Sequence, residues 1–148
     1  MNDLPPLEVA RLLRAYQLTA KKGLGQNFLI DSTALERIVA AAEIPPEAEV
    51  LEIGPGLGSL TRYLARAARQ VVAVELDTAL IPVLHEVLAG QENVRVVQGD
   101  ILAQDPSALM SAGGYWVVAN IPYYITSAVF RHLLEARVRP CRMVLTVQ

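Results

Sequence analysis

Short apolar segments alternate with amphipathic stretches along most of the chain. The apolar segments are five or six residues long and mostly rich in valine, as buried strands are, and they lie at 49–53, 70–75, 94–98, 115–119 and 142–147. Apolar residues recur at helical spacing before and between these segments, at 7–16, 35–42, 60–68, 80–88 and 127–135. This alternation predicts an α/β protein in which helices cover both faces of a parallel sheet.

Several predicted helices carry signals at their ends. Thr33 and Glu36 have the spacing of a capping box at the start of the second helix. Pro82 is compatible only with the first turn of its helix, because a proline further in would break the helix. Thr126 or Ser127 is predicted to cap the last helix. These signals support the same alternation of helices and strands.

The composition indicates one soluble domain. The chain has 148 residues, 53% of them apolar, and no apolar run approaches the ~20 residues of a membrane helix. The net charge of −2 does not indicate a nucleic-acid binder, although basic residues cluster at 11–22 and 131–142. A single cysteine, Cys141, excludes an internal disulfide and a cysteine-based zinc site, and we expect no metal. The amino terminus resembles neither a secretory signal nor a transit peptide, so we expect a cytoplasmic protein.

A glycine-rich turn follows the first predicted strand, where residues 52–58 are EIGPGLG. Gly54 and Gly56 allow positive φ and close approach of a ligand, and parallel sheets bind ligands at such turns. The third glycine comes one residue earlier than in the dinucleotide-binding fingerprint, in which Ser59 would also be glycine. Pro55 removes an amide donor. The turn therefore favours an adenosine ligand without a diphosphate, such as S-adenosylmethionine, with a plain strand-to-helix turn as the alternative.

Carboxylates follow the next two predicted strands. Glu75 comes 21 residues after Gly54, which suits a side chain that accepts hydrogen bonds from ribose hydroxyls. Asp100 follows the third strand and is placed to accept a hydrogen bond from an adenine amino group. The alternatives are a surface carboxylate at Glu75 and a simple turn residue at Asp100. Both carboxylates are candidate cofactor-binding residues.

The fourth predicted strand leads into residues 120–124, which are NIPYY. An amine on a nucleobase is a poor nucleophile, because its lone pair is delocalised into the ring. The Asn120 side-chain oxygen and the Ile121 carbonyl, held by the fixed φ of Pro122, could accept its two N–H bonds. Tyr123 could stack on an extruded base. The alternative is an ordinary turn, a structure in which asparagine and proline are common.

These motifs together resemble a known family, the ribosomal RNA adenine N6,N6-dimethyltransferases. The likeness rests on QNFL at 26–29, EIGPGLG at 52–58, ELD at 75–77, GD at 99–100 and NIPY at 120–123, and it extends over about residues 21–148. The closer resemblance is to the small-subunit branch associated with kasugamycin sensitivity. It implies a class I, Rossmann-like fold that depends on S-adenosylmethionine.

The resemblance also implies roles for individual residues. The cofactor-binding residues would be Asn27, Leu29, Gly54, Gly56, Glu75, Asp100 and Asn120, and the catalytic residues would be Asn120, Pro122 and Tyr123. The expected reaction is dimethylation of adenine N6 in small-subunit rRNA, with no metal and no membrane partner. The alternatives are a large-subunit rRNA methyltransferase that confers antibiotic resistance, a non-catalytic ribosome-assembly module of the same fold, and an NAD-dependent dehydrogenase.

Family members are longer than this chain. We expect residues 1–24 to form an amino-terminal helix and basic arm, and residues 25–148 to form a methyltransferase domain that is truncated after the fifth strand. The final strands and a small helical carboxyl-terminal domain would be missing. An uncovered last strand promotes edge-to-edge pairing. We therefore expect the fragment to self-associate through 142–147 and to be inactive on RNA by itself.

Overall fold

The computed structural model describes residues 4–19 and 31–146. It contains five strands, β1 (Glu49–Ile53), β2 (Gln70–Glu75), β3 (Val94–Gln98), β4 (Trp116–Asn120) and β5 (Arg142–Thr146). The helices are α1 (Val9–Ala15), α2 (Ser32–Ala42), α3 (Ser59–Ala67), α4 (Ile81–Val87), α5 (Pro106–Leu109) and α6 (Thr126–Leu134). Short 3₁₀ helices lie at Thr78–Leu80, Ile101–Ala103 and Tyr123–Ile125.

The strands form a single parallel sheet in the order β3-β2-β1-β4-β5. The order reverses beside β1, whose neighbours are β2 and β4: Ile53 pairs with Val74 on one side and with Ala119 on the other. In open parallel sheets, ligands bind outside the carboxyl ends of the strands at such a reversal. The topology therefore places a binding crevice next to the turn after β1.

Helices bury both faces of the sheet, as the sequence predicts. On one face, Val50, Val71 and Val118 pack against α2 and α3. On the other face, Leu51 and Ile53 lie in a cluster with Val129 and Leu133 of α6. Because residues alternate between faces along a strand, Glu52 lies on the same face as Val50, towards α3.

The short helix α1 packs beside the turn that follows β1. Leu12 is buried with Leu57 of that turn and with Leu80 and Val83. The Tyr16 hydroxyl donates a 2.6 Å hydrogen bond to Glu86. These contacts attach the amino-terminal helix to α4 and to the outer side of the glycine-rich turn.

Both predicted helix caps are wrong. Asp31 caps α2 by accepting a 3.0 Å hydrogen bond from the Thr33 amide, so Thr33 lies inside the helix. The residue before α6 is Ile125, which offers no side-chain cap. The Thr126 hydroxyl is buried and has no hydrogen-bond partner among the described residues.

The fourth strand is shifted by one residue from its predicted position. It begins at Trp116, which pairs with Val50, and its last residue is Asn120. Tyr115 precedes the strand, with its ring buried and its hydroxyl 3.2 Å from the Val138 carbonyl, to which it donates. The shift places Asn120 in the β4–β5 pairing, where it can be positioned by a neighbouring strand.

Candidate active site

The turn after β1 lies against the end of β4. Gly54 has φ +72°, and its amide donates a 2.9 Å hydrogen bond to the Val74 carbonyl. A β-carbon at Gly54 would be 3.7 Å from the Ile121 side chain and 3.9 Å from the Asn120 carbonyl oxygen. These are ordinary contact distances, so the positive φ is what requires glycine here. The predicted cofactor turn and the predicted base-binding segment are thus neighbours.

Glu75 connects the glycine-rich turn to the end of β2. Its side chain is only 6% exposed. One carboxylate oxygen accepts a 3.0 Å hydrogen bond from the Gly56 amide, and the other accepts a 2.9 Å hydrogen bond from the Asp77 amide. Burial raises the pKa of Glu75, while the two amide donors act in the opposite direction by stabilising the ionised form. The surface-carboxylate alternative for Glu75 is therefore wrong.

The turn has few amide groups left for an anionic ligand. The Gly56 amide donates to Glu75, the Gly58 amide donates to the Pro55 carbonyl at 2.9 Å, and Pro55 has no amide hydrogen. A dinucleotide-binding turn instead directs its free amides at a diphosphate. A buried carboxylate at this position also repels an anion. The geometry therefore disfavours the dinucleotide alternative and suits a neutral or cationic ligand.

A second carboxyl group, on Glu52, lies within β1 just before the turn. It is 2% exposed and accepts a hydrogen bond from the Thr61 hydroxyl of α3. Burial raises the pKa of Glu52 to about 8; the bond from Thr61 opposes this shift and the charge of Glu75 adds to it. Glu52 is thus mainly protonated at neutral pH. Sequence reasoning did not identify it as a buried titratable group, although a carboxyl group inside a doubly covered strand is the signal that could have done so.

Asp100 joins the site through its backbone turn. The amide of Gly99 donates a 2.9 Å hydrogen bond to the Glu75 carbonyl, which ties the end of β3 to the end of β2. The Asp100 side chain accepts a 3.0 Å hydrogen bond from the Leu102 amide and caps the 3₁₀ helix that follows. This bond is compatible with both interpretations of Asp100, so its contact with an adenine amino group stays a prediction.

Two exposed leucines lie next to these carboxylates in the chain. Leu76 directly follows Glu75 and Leu102 comes shortly after Asp100, and both expose much of their side chains. An exposed apolar side chain beside a polar group is a suitable contact for the face of a heterocyclic ring. Sequence reasoning did not select either residue, because isolated leucines after strands carry no pattern.

Asn120 is half-buried at the end of β4 and is held by a residue that the sequence analysis missed. The hydroxyl of Thr146, in β5, donates a 2.9 Å hydrogen bond to the Asn120 side-chain oxygen. The two residues are direct partners in the β4–β5 register. Pro122 follows with φ −58° and precedes the 3₁₀ helix Tyr123–Ile125.

Two tyrosine rings project from this 3₁₀ helix. Tyr123 is 69% exposed and Tyr124 is 61% exposed, and their ring centroids lie 6.4 Å apart with nearly perpendicular planes. An exposed ring beside Asn120 is available for stacking on a base.

The structure brings most of the predicted site residues together at one end of the sheet. Gly54, Gly56, Glu75 and Asn120 lie at neighbouring strand ends, and Asp100 is connected to them through the bond from Gly99 to Glu75. Asn27, Leu29 and residues 20–24 of the predicted amino-terminal arm lie outside the described residues.

The chain matches a known protein family along most of its length. The family model for ribosomal RNA adenine dimethylase matches residues 17–148. The chain belongs to this family. Among curated adenine dimethylase relatives, "Ribosomal RNA small subunit methyltransferase A" from Dehalococcoides mccartyi (strain CBDB1) is 47% identical over 142 residues. That match covers 95% of this chain and 49% of the relative, so the chain spans about half the length of the curated relatives it matches.

Solved structures of similar proteins have the same fold. The 23S rRNA methyltransferase ErmE is 42% identical with a TM-score of 0.71, over 80% of this chain and 48% of that one. A dimethyladenosine transferase from Plasmodium falciparum is 29% identical with a TM-score of 0.69, over 82% of this chain and 43% of that one. The predicted class I, Rossmann-like methyltransferase fold and the predicted family of adenine dimethylases are therefore confirmed.

The described residues contain neither a cluster of metal ligands nor a membrane-spanning helix. No group of three or more histidine, cysteine, aspartate or glutamate side chains within 4–19 and 31–146 is arranged to hold a metal ion. No helix in these same ranges combines the length and apolar character needed to span a bilayer.

Proposed function

We propose that this protein transfers methyl groups from S-adenosylmethionine to N6 of adenine in small-subunit rRNA and forms dimethyladenine. The observation that carries the proposal is the closeness of two turns. The glycine turn, whose Gly56 amide donates to Glu75, leaves room for little more than a β-carbon between Gly54 and the Asn120–Ile121 segment, and the exposed ring of Tyr123 follows that segment in the chain. The proposed cofactor site and the proposed base site would thereby be adjacent at the sheet's topological switch point. Ribosome assembly would make the bacterial cytoplasm its place of action.

The described residues fit S-adenosylmethionine. Glu75 would accept hydrogen bonds from the ribose hydroxyls through the second lone pairs of its fixed oxygens. Asp100 would accept from the adenine amino group, with Leu76 and Leu102 against the ring. The carboxylate at the turn favours a ligand that carries a positive sulfonium and no diphosphate. Family resemblance adds Asn27, Leu29, Gly54 and Gly56 to the proposed cofactor-binding residues.

The residues after β4 would bind the target base. When bound, S-adenosylmethionine supplies an activated methyl group, so alignment contributes most of the rate. Asn120 and the Ile121 carbonyl would accept the N–H bonds of the adenine amine and keep its lone pair directed at the donor. Pro122 would fix the carbonyl direction, and Tyr123 would stack on the extruded base. No side chain has to remove a proton first, because the methylated nitrogen is cationic and loses its proton to water.

Relatives favour the small subunit as the substrate, and ErmE provides a specific second candidate. The curated relatives at 42–47% identity carry the name ribosomal RNA small subunit methyltransferase A. ErmE, at 42% identity, is a 23S rRNA methyltransferase. The test is to incubate the complete gene product with labelled cofactor and either under-methylated small subunits or large-subunit rRNA. Dimethyladenine in small-subunit rRNA is the expected result; label only in large-subunit rRNA would support the second candidate, and no label in either would contradict both.

Glu75→Gln is expected to weaken S-adenosylmethionine binding about 10- to 100-fold, because a charge-assisted acceptor contributes roughly 1.5–3 kcal/mol. The side chain of glutamine has one NH₂ group, which would face the N–H donor of either Gly56 or Asp77. One of the two hydrogen bonds that Glu75 now accepts would therefore be lost. Titration calorimetry measures the change. Glu92→Gln, at an exposed glutamate before β3, is the matched control and should bind normally. Equal affinity of both variants would contradict the ribose role.

A further inference from the structure

We infer that Thr146 is a positioning residue for methyl transfer, which holds the side-chain amide of Asn120 in the orientation that accepts the target amine. This inference rests on the proposed function. It concerns a residue of β5 that the adenine-binding motif at 120–123 does not include. The evidence is the contact geometry between the ends of β4 and β5.

The hydroxyl of Thr146 reaches two acceptors at the end of β4. It donates to the Asn120 side-chain oxygen at 2.9 Å and lies 3.4 Å from the Ala119 carbonyl oxygen. Asn120 and Thr146 are opposite each other in the parallel register, on the same face of the sheet. The contact therefore follows from strand pairing and does not depend on a loop.

An asparagine side chain needs such a partner to have a defined orientation. Rotation about its last torsion is broad, and the oxygen and nitrogen ends of the amide are nearly equal in shape. In the structure the oxygen, and not the NH₂ group, faces β5, where it accepts a hydrogen bond from the Thr146 hydroxyl. The amide oxygen has two lone pairs, so one remains to accept an N–H bond of the substrate. The hydrogen bond from Thr146 thus holds the amide in an orientation that can accept from the substrate.

The loss of one such hydrogen bond sets the expected size of the effect. Thr146→Val removes the hydroxyl, keeps the β-branched shape and is compatible with a strand. We expect the rate of methyl transfer at saturating cofactor and RNA to fall about 2- to 10-fold, with the KM for RNA and the melting temperature nearly unchanged. Thr146→Ser restores the donor and should recover most of the rate.

Thr126→Val is the matched control. It makes the same chemical change beside the same segment, but the Thr126 hydroxyl donates to none of the described residues. We therefore expect its rate to match that of the unmodified protein. A similar loss of rate in both valine variants would overturn the inference, since it would reflect a general effect of the substitution.

A spectroscopic measurement tests the hydrogen bond independently of activity. A donor deshields the carbonyl carbon that it contacts, so the ¹³Cγ resonance of Asn120 should move upfield in Thr146→Val and stay in place in Thr146→Ser. An unmoved resonance would overturn the inference, as would a moved resonance with an unchanged transfer rate. The unmodified gene product is the reference that separates the two proposals. If it methylates no RNA, the proposed function fails; if it is active, the variants test the role of Thr146 alone.

Discussion

Replacing Asn120 by alanine is expected to lower the rate of methyl transfer about 100- to 1,000-fold while RNA affinity changes little. The magnitude is that of removing one preorganised hydrogen-bonding group from a reacting centre. The physical reason is that the adenine amine needs an acceptor to present its lone pair to the methyl donor, whereas most RNA affinity comes from phosphate contacts elsewhere. Single-turnover transfer and filter binding with the complete gene product measure the two quantities.

Asn93→Ala is a suitable control for the Asn120 experiment. The Asn93 side chain donates hydrogen bonds of 2.8 and 3.1 Å to the Ala65 and Ala68 carbonyls at the end of α3. Asn93 directly precedes β3, so these bonds lie at the amino ends of the strands, whereas Asn120 lies at a carboxyl end. Its loss should reduce stability and leave the transfer rate of the folded protein unchanged. A normal rate in Asn120→Ala would contradict the proposed mechanism, and an equal loss in both variants would indicate unfolding.

The second large effect concerns Glu52 and the dependence of stability on pH. The pKa of Glu52 is about 8 in the folded protein against an ordinary value of 4.5. The folded state therefore holds a proton that the unfolded state releases, and the stabilisation from this proton is complete below about pH 4.5 and is lost as the pH rises through 8. Glu52→Gln keeps the shape and the bond to Thr61 but cannot ionise. It is expected to exceed the unmodified protein in unfolding free energy by on the order of 5 kcal/mol at pH 9.

Urea unfolding between pH 5 and pH 9 tests the expectation for Glu52. The difference between Glu52→Gln and the unmodified protein should be small at pH 5 and should grow with pH. Groups that titrate in both proteins cancel in this difference, so the comparison isolates Glu52. A difference that is constant with pH would show that Glu52 is already ionised in the folded protein.

Much of the fold could be predicted because the sheet is covered on both faces. Valine-rich strands such as 70–75 stand out from their surroundings. Because helices alternate with these strands along the chain, a parallel sheet is the expected topology. The same double coverage hides other information, because a strand that is apolar on both faces does not reveal which way each residue points. The sequence therefore could not reveal that Glu52 faces α3 and Thr61.

The site could be predicted where its residues are adjacent in the chain, as in the glycine turn and the segment 120–123. The parts of the site that depend on pairing between residues far apart in the sequence could not be predicted. Thr146 reaches Asn120 through the β4–β5 register, and Gly56 reaches Glu75 through the neighbouring strand ends. Short elements such as α5 and the 3₁₀ helices were also missed, since they are too short for apolar periodicity to be visible.

The pairing of β1 with β4 has a consequence for the synthesis of the protein on the ribosome. Leu51 pairs with Val117, so the central strand must wait for a partner that is made much later. Closing such a long loop is slow compared with local folding. The β3-β2-β1 half can pair as soon as it emerges, with the glycine turn already next to Glu75. Asn120 can join this half only after translation has passed β4. A nascent chain therefore brings the glycine turn and Glu75 together before it adds the proposed base-binding segment at 120–123.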